Sequence, residues 1–114
     1  MLSVCADNRI KEGWWYEGGG IYRHAHLIVT ENDYFKEDGI FVHTEKINDT
    51  QWKLTVESSV SAENGCIVKT VFDGNEYQTE AADKTVQEIS VDSPLLWDLE
   101  SPNLYEIKSR LIKD

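Results

Sequence analysis

The chain has 114 residues, room for one domain, and its 40% hydrophobic and 28% charged residues are a globular rather than a disordered composition. Its net charge of −10, from 21 acidic residues against 11 basic, leaves no basic footprint for nucleic acid and would be repelled by an anionic membrane. No apolar run approaches the ~20 residues of a membrane-spanning helix, and residues 1–7 have neither the basic start nor the apolar stretch of a signal peptide.

In chain order, residues 2–6 read as a short strand ended by Asp7-Asn8, and residues 9–13 as a loop. Residues 13–27 then gather three consecutive glycines, two tryptophans and two tyrosines. Such a segment is costly to order, because glycine loses the most backbone freedom on folding. From Ile21 the pattern becomes two-fold: Ile21, Arg23, Ala25, Leu27 and Val29 alternate with Tyr22, His24, His26, Ile28 and Thr30, which predicts a strand over 21–30. Residues 31–39 are polar and turn-rich and read as a linker.

From residue 40 onward strands follow at short spacing. One covers 40–47 and stops at Asn48-Asp49; the next places Trp52, Leu54, Val56, Ser58 and Val60 on one face. Asn64-Gly65 signals a hairpin turn, residues 66–72 are apolar on both sides and should be central, and Asp73-Gly74 signals a second turn. Residues 76–81 are polar and read as an edge; Gln87, Ile89 and Val91 share one face of a strand over 85–91. Pro94 and Pro102 bracket a corner, since neither suits a central strand, and Trp97 between them reads as a buried plug. Tyr105, Ile107, Ser109 and Leu111 alternate in the last strand. With no sustained 3.6-residue period anywhere, about six short strands predict an all-β sandwich.

The chemistry-bearing residues are sparse. Cys5, Trp15 and Cys66 loosely mimic the spacing of an immunoglobulin variable domain, but Asn64 stands where its tyrosine corner belongs, so two buried free thiols are expected. His24 and His26 face the same way on a strand, yet zinc needs three or four ligands and His43 is the one other histidine, so no metal and no cofactor are expected. The glycine triplet precedes a strand and offers no helix N-terminus to a phosphate. Trp14, Trp15, Tyr16 and Tyr22 suit either a sugar-stacking platform or interdomain packing, with packing favoured. Asn75-Glu76 follows a turn and is a poor catalytic candidate; Asn48-Asp49-Thr50 matches a glycosylation sequon.

Two stretches carry a resemblance. Trp15-Tyr16-Glu17-Gly18-Gly19-Gly20-Ile21-Tyr22-Arg23-His24 resembles the W-Y-x-G-x-G-I-Y-R-[DHN] signature of glycoside hydrolase family 2, the β-galactosidase and β-glucuronidase family. Pro94-Leu95-Leu96-Trp97-Asp98-Leu99-Glu100-Ser101-Pro102-Asn103-Leu104-Tyr105 is similar to that family's P-x-L-W-[SD]-x-E-x-P-x-L-Y. The resemblance implies that residues 1–30 are the C-terminal strands of a sugar-binding jelly roll, 31–39 a linker and 40–114 an immunoglobulin-like β-sandwich. It implies a parent that hydrolyses terminal β-linked sugars, galactosides first, with retention and with two catalytic glutamates ~5–5.5 Å apart in a barrel outside this sequence.

The fragment's role would then be to space and orient domains, without activity of its own; a free-standing immunoglobulin-like module for carbohydrate or adhesion is the alternative. By resemblance His24 occupies the place of an aspartate that reaches the substrate pocket, with Tyr22 beside it, and Arg23 makes a structural contact within the parent. Trp15, Tyr16, Gly18, Gly20, Arg23, Trp97, Pro102 and Tyr105 are the structural motif positions. The implied partners are the jelly roll, the barrel and, through the parent, carbohydrate. Residues 1–30, with the rest of their jelly roll missing, are expected to pair two copies into a homodimer.

Overall fold

The computed structural model describes residues 2–7, 9, 13, 18–63 and 65–113. Among the described residues six antiparallel strands form: β1 (Tyr34–Lys46), β2 (Gln51–Ser61), β3 (Cys66–Phe72), β4 (Asn75–Glu80), β5 (Lys84–Asp92) and β6 (Ile107–Lys113). They make two three-stranded sheets, ordered β1-β2-β5 and β4-β3-β6, and no helix occurs among the described residues. The β2–β3 and β4–β5 connections pass between the sheets, whereas β3 and β4 stay together as a hairpin. The result is the expected immunoglobulin-like sandwich, with β2 and β3 central and β4 at an edge.

The core follows from the alternation. Leu54 and Val56 of β2, Phe72 of β3 and Ile89 of β5 are buried together, with Tyr77, Val91 and Ile107 packed against them. At Asp73-Gly74 both residues have positive φ, +48° and +77°, as a two-residue turn that matches strand twist requires. Among the buried groups is a polar cluster joining the two sheets. Gln87 of β5 donates from Nε2 to the Val68 and Tyr77 carbonyls and to Thr79 Oγ1, while its Oε1 accepts the Thr70 hydroxyl at 2.5 Å.

Two expectations change. The stretch 31–39, read as a linker, contains the start of β1: Tyr34 pairs with Ser61 and Phe35 with Val60 before the register shifts. Ile40 then faces Ser58, so Lys36, Glu37, Asp38 and Gly39 bulge opposite Ser59 alone. The bulge needs turn chemistry inside a strand. Asp38 has φ +50°, and a Cβ on Gly39 would lie 2.5 Å from the Lys36 carbonyl oxygen and 2.8 Å from that of Ser59. That chemistry gives the sequence its linker appearance.

Second, residues 2–6 and 21–30 do not form strands. A two-fold pattern becomes a strand only when a neighbour takes its backbone hydrogen bonds, and these residues have no strand partner among the described residues. Tyr22, Leu27 and Val29 are exposed. The Cα radius of gyration of 21.8 Å, against about 13 Å for a compact chain of ~100 residues, reflects this extension. Both cysteines are free, but only Cys66 is buried as expected; Cys5, on the unpaired segment 2–7, is exposed, and burial pushes the Cys66 thiol up from its ordinary pKa.

An ionic clasp ties the start of β1 to the end of β6. Asp33 accepts the Glu63 backbone N–H at 2.8 Å and the Lys113 ammonium at 3.1 Å, and Lys113 also reaches Glu63 at 3.1 Å. The Glu63 amide first, and Lys113 after it, hold the Asp33 carboxyl below its usual 3.8; Asp33 raises Lys113 above 10.5. A depressed carboxyl stabilises the fold above its unfolded pKa and stops doing so as pH falls through its folded value. A raised ammonium stabilises below its unfolded pKa and stops as pH rises through its folded one. Asp33→Asn should therefore lower the denaturation midpoint between these limits, with the difference vanishing in strong acid. A pH-independent difference would contradict the assignment.

Candidate functional site: the corner and the aromatic segment

The corner between β5 and β6 is built from local hydrogen bonds. Asp98 Oδ1 accepts the backbone N–H groups of Glu100 and Ser101 at 2.8 and 2.6 Å, while the Asp98 amide donates to the Ser101 carbonyl at 3.1 Å. An aspartate or serine oxygen suits this turn, which supplies a physical reason for acceptors at that motif position. Asn103 closes the loop: its amide nitrogen donates to the Leu96 carbonyl at 2.9 Å and its backbone N–H to that of Ser101 at 2.8 Å. Trp97 and Pro102 form an isolated bridge across it. Tyr105 anchors the loop to the sandwich, its hydroxyl accepting the Leu95 N–H at 2.8 Å and its ring lying 5.6 Å from that of Phe72.

The loop is thus fixed by polar groups, and its apolar side chains are turned outward. Leu95, Leu96, Leu99 and Leu104 are exposed, and Trp97 is 57% exposed. The expectation that Trp97 plugs the corner is corrected: Trp97 is turned outward, and the contact with the core is made by Tyr105, itself 44% exposed, whose ring lies against Phe72. Trp97 is large and apolar, which signals that something covers it but not what does. A hollow of about 410 Å³ lies beside the corner, lined by residues that include Asp73, Leu104, Tyr105 and Lys108.

Trp14, Trp15 and Tyr16 of the aromatic segment lie outside the described residues, as do Glu17 and Asn64. Gly18 and Gly20 are exposed, with open space where a Cβ would stand. The Arg23 guanidinium lies 5.4 Å over the Tyr22 ring and meets no carboxylate among the described residues. The His24 and His26 rings are stacked 6.2 Å apart, while His43 sits on β1 beside Phe41. The structure therefore gathers Trp97, Pro102 and Tyr105 in one corner and Tyr22, Arg23 and His24 in one exposed run, without joining the two groups.

Other candidates have local roles. Glu76 of Asn75-Glu76 lies on β4 in an ion pair with Lys69 at 2.6 Å. The Asn48 side-chain oxygen caps the β1–β2 turn, accepting from the Thr50 and Gln51 backbone. The buried Gln87 cluster was not foreseen; the signal was a glutamine on the apolar face of an otherwise alternating strand.

The family model described as "Glycosyl hydrolases family 2" matches residues 26–114. A Formosa agariphila protein named provisionally as a β-glucuronidase is 27% identical over 97% of this chain and 12% of its own length. A β-galactosidase of Bacteroides ovatus is 28% identical over 100% of this chain and 15% of its own, and one of Thermoanaerobacter pseudethanolicus 26% identical over 84% and 14%. The chain thus spans a small part of the relatives it matches. No solved structure matches it at comparable significance.

Proposed function

Because the chain belongs to glycosyl hydrolase family 2, we propose that it is the non-catalytic, domain-spacing part of a retaining glycosidase acting on terminal β-linked sugars, β-galactosides first. The observation that carries this reading is the corner: a loop made rigid by its own hydrogen bonds that turns Leu95, Leu96, Trp97, Leu99 and Leu104 outward. An exposed apolar patch on a rigid frame suits burial against another domain. Relatives several times longer than this chain have room for such domains.

The sandwich works by position. Tyr105 and the Asp98 turn fix the corner relative to the core, and whatever rests on Trp97 is fixed with it. In the parent, His24 and Tyr22 stand at the head of the jelly-roll segment and approach the sugar, while the barrel supplies both glutamates. Positioning of this kind matters because reacting groups displaced by ~1 Å can lose about a hundredfold in rate.

The chain by itself should leave chromogenic β-galactoside and β-glucuronide uncleaved, and the gene should continue past Asp114 for the several hundred residues of a barrel. Turnover that survives repurification and is abolished by Glu76→Gln, or a stop codon after Asp114, would overturn the proposal.

A further inference from the structure

The outer faces of the two sheets use their charges differently. On the β1-β2-β5 sheet Lys53 lies between Glu45 and Glu88, at 3.0 and 3.4 Å, and Lys84 meets Glu57 at 2.6 Å. On the other sheet Cys66, Val68, Thr70 and Phe72 of β3 are buried inside, so Ile67, Lys69 and Val71 face outward. The register sets Ile67 opposite Ile112, Lys69 opposite Arg110 and Val71 opposite Lys108. Directly opposed residues share a face, and like charges so opposed are destabilising. Lys69 turns to Glu76 on β4 at 2.6 Å, and Lys108 to Glu106 at 2.7 Å. Among the described residues every lysine, and Arg9, is ion-paired, whereas Arg110 and Arg23 are not. Carboxylates are plentiful, 21 acidic residues against 11 basic, yet none reaches Arg110 from the described residues. Its neighbours across and along the strands are Lys69, Lys108 and the half-buried Ile67, Val71 and Ile112.

We infer that this outward face docks the same neighbouring domain of the parent that rests on Trp97, and that an aspartate or glutamate of that domain bonds to the Arg110 guanidinium. The face and the corner are continuous. Val71 and Lys108 of the face line the same hollow as Leu104 and Tyr105 of the corner. Arg110 stands two residues beyond Lys108, ~7 Å farther along the strand. The chemistry selects the partner group. A guanidinium presents a planar fork of donors that a carboxylate fits with two parallel bonds. Arginine is enriched in interfaces and lysine depleted; here the two lysines are neutralised at the sides and the arginine is left open. Ile67, Val71 and Ile112 supply the apolar surround that keeps water from such a pair. The chain's net charge of −10 repels a polyanion, and a second copy with it. The identity of the occupant rests on the proposed membership in a longer glycosidase.

Zero-length carbodiimide coupling on the full-length protein tests this, because it joins a carboxylate only to an amine already in contact with it. Arginine does not couple, so the wild type is the blank. Arg110→Lys keeps the charge and supplies an amine. The Lys69–Glu76 and Lys108–Glu106 pairs, already in contact, couple in both proteins and report that the sandwich is folded. The inference expects one additional link in the variant, absent from the wild type, from position 110 to an aspartate or glutamate outside residues 1–114. Peptide mass spectrometry identifies the link, and a mixture of light and isotope-labelled protein shows whether it lies within one molecule. No link from position 110, or one to a carboxylate within residues 1–114, would overturn the inference. So would a link joining light to heavy molecules, which would assign the face to a second copy. Loss of the two internal links would show that Arg110 holds the sandwich itself together, and would overturn it too. Each of these results leaves the glycosidase reading standing. A stop codon after Asp114 would remove the parent, and the inference with it.

Discussion

Replacing Gln87 by leucine should lower the stability of the chain by about 2–4 kcal/mol, although the two side chains have nearly the same volume. Gln87 is buried, so its polar atoms have no water to return to. Its amide spans both sheets, donating to β3 and β4 and accepting from Thr70. Leucine would leave the Thr70 hydroxyl with Ser109 alone, 3.0 Å away, and would remove a donor from the Val68 and Tyr77 carbonyls. Each buried group so deprived costs roughly 1–3 kcal/mol, and shared networks lose more than single bonds suggest. Gln87→Glu should be as damaging at neutral pH, because a carboxylate would face those carbonyls. Denaturant midpoints measure both; an unchanged midpoint for Gln87→Leu would show that the cluster is incidental.

The second large effect separates two aromatics of the same region. Phe72→Ala should cost about 3–5 kcal/mol, the range for truncating a buried aromatic. Phe72 is 7% exposed, lies in the core with Leu54, Val56 and Ile89, and supports Tyr105. Its loss opens a cavity and loosens the Tyr105 anchor together. Trp97→Ala in the same chain should cost less than about 1 kcal/mol, because more than half of Trp97 already faces solvent. Equal shifts from the two substitutions would mean that Trp97 is packed after all.

The legible parts of this fold are those where local chemistry decides the outcome. Asp73-Gly74 dictates its own turn, and the apolar alternation of 66–72 and 85–91 fixes which strands lie inside. The illegible parts depend on neighbours. Residues 21–30 alternate as a strand does, but alternation does not provide a partner. Residues 34–39 look like a linker because a bulge needs aspartate and glycine within β1. The motif around Trp97 marked a corner correctly, while its bulk suggested burial that this chain does not supply.

The most direct measurement of the central claim is the kcat/KM of the full-length protein carrying Trp97→Ala, on a chromogenic β-galactoside. On the proposed reading both catalytic glutamates lie in the barrel, so Trp97 touches no reacting group, and with 57% of it exposed its loss should cost the sandwich little. If the corner positions another domain, kcat/KM falls by more than about tenfold while the sandwich keeps its denaturation midpoint, since misplacement of that order is what a lost interdomain anchor produces. An unchanged kcat/KM in a folded Trp97→Ala parent would contradict the account.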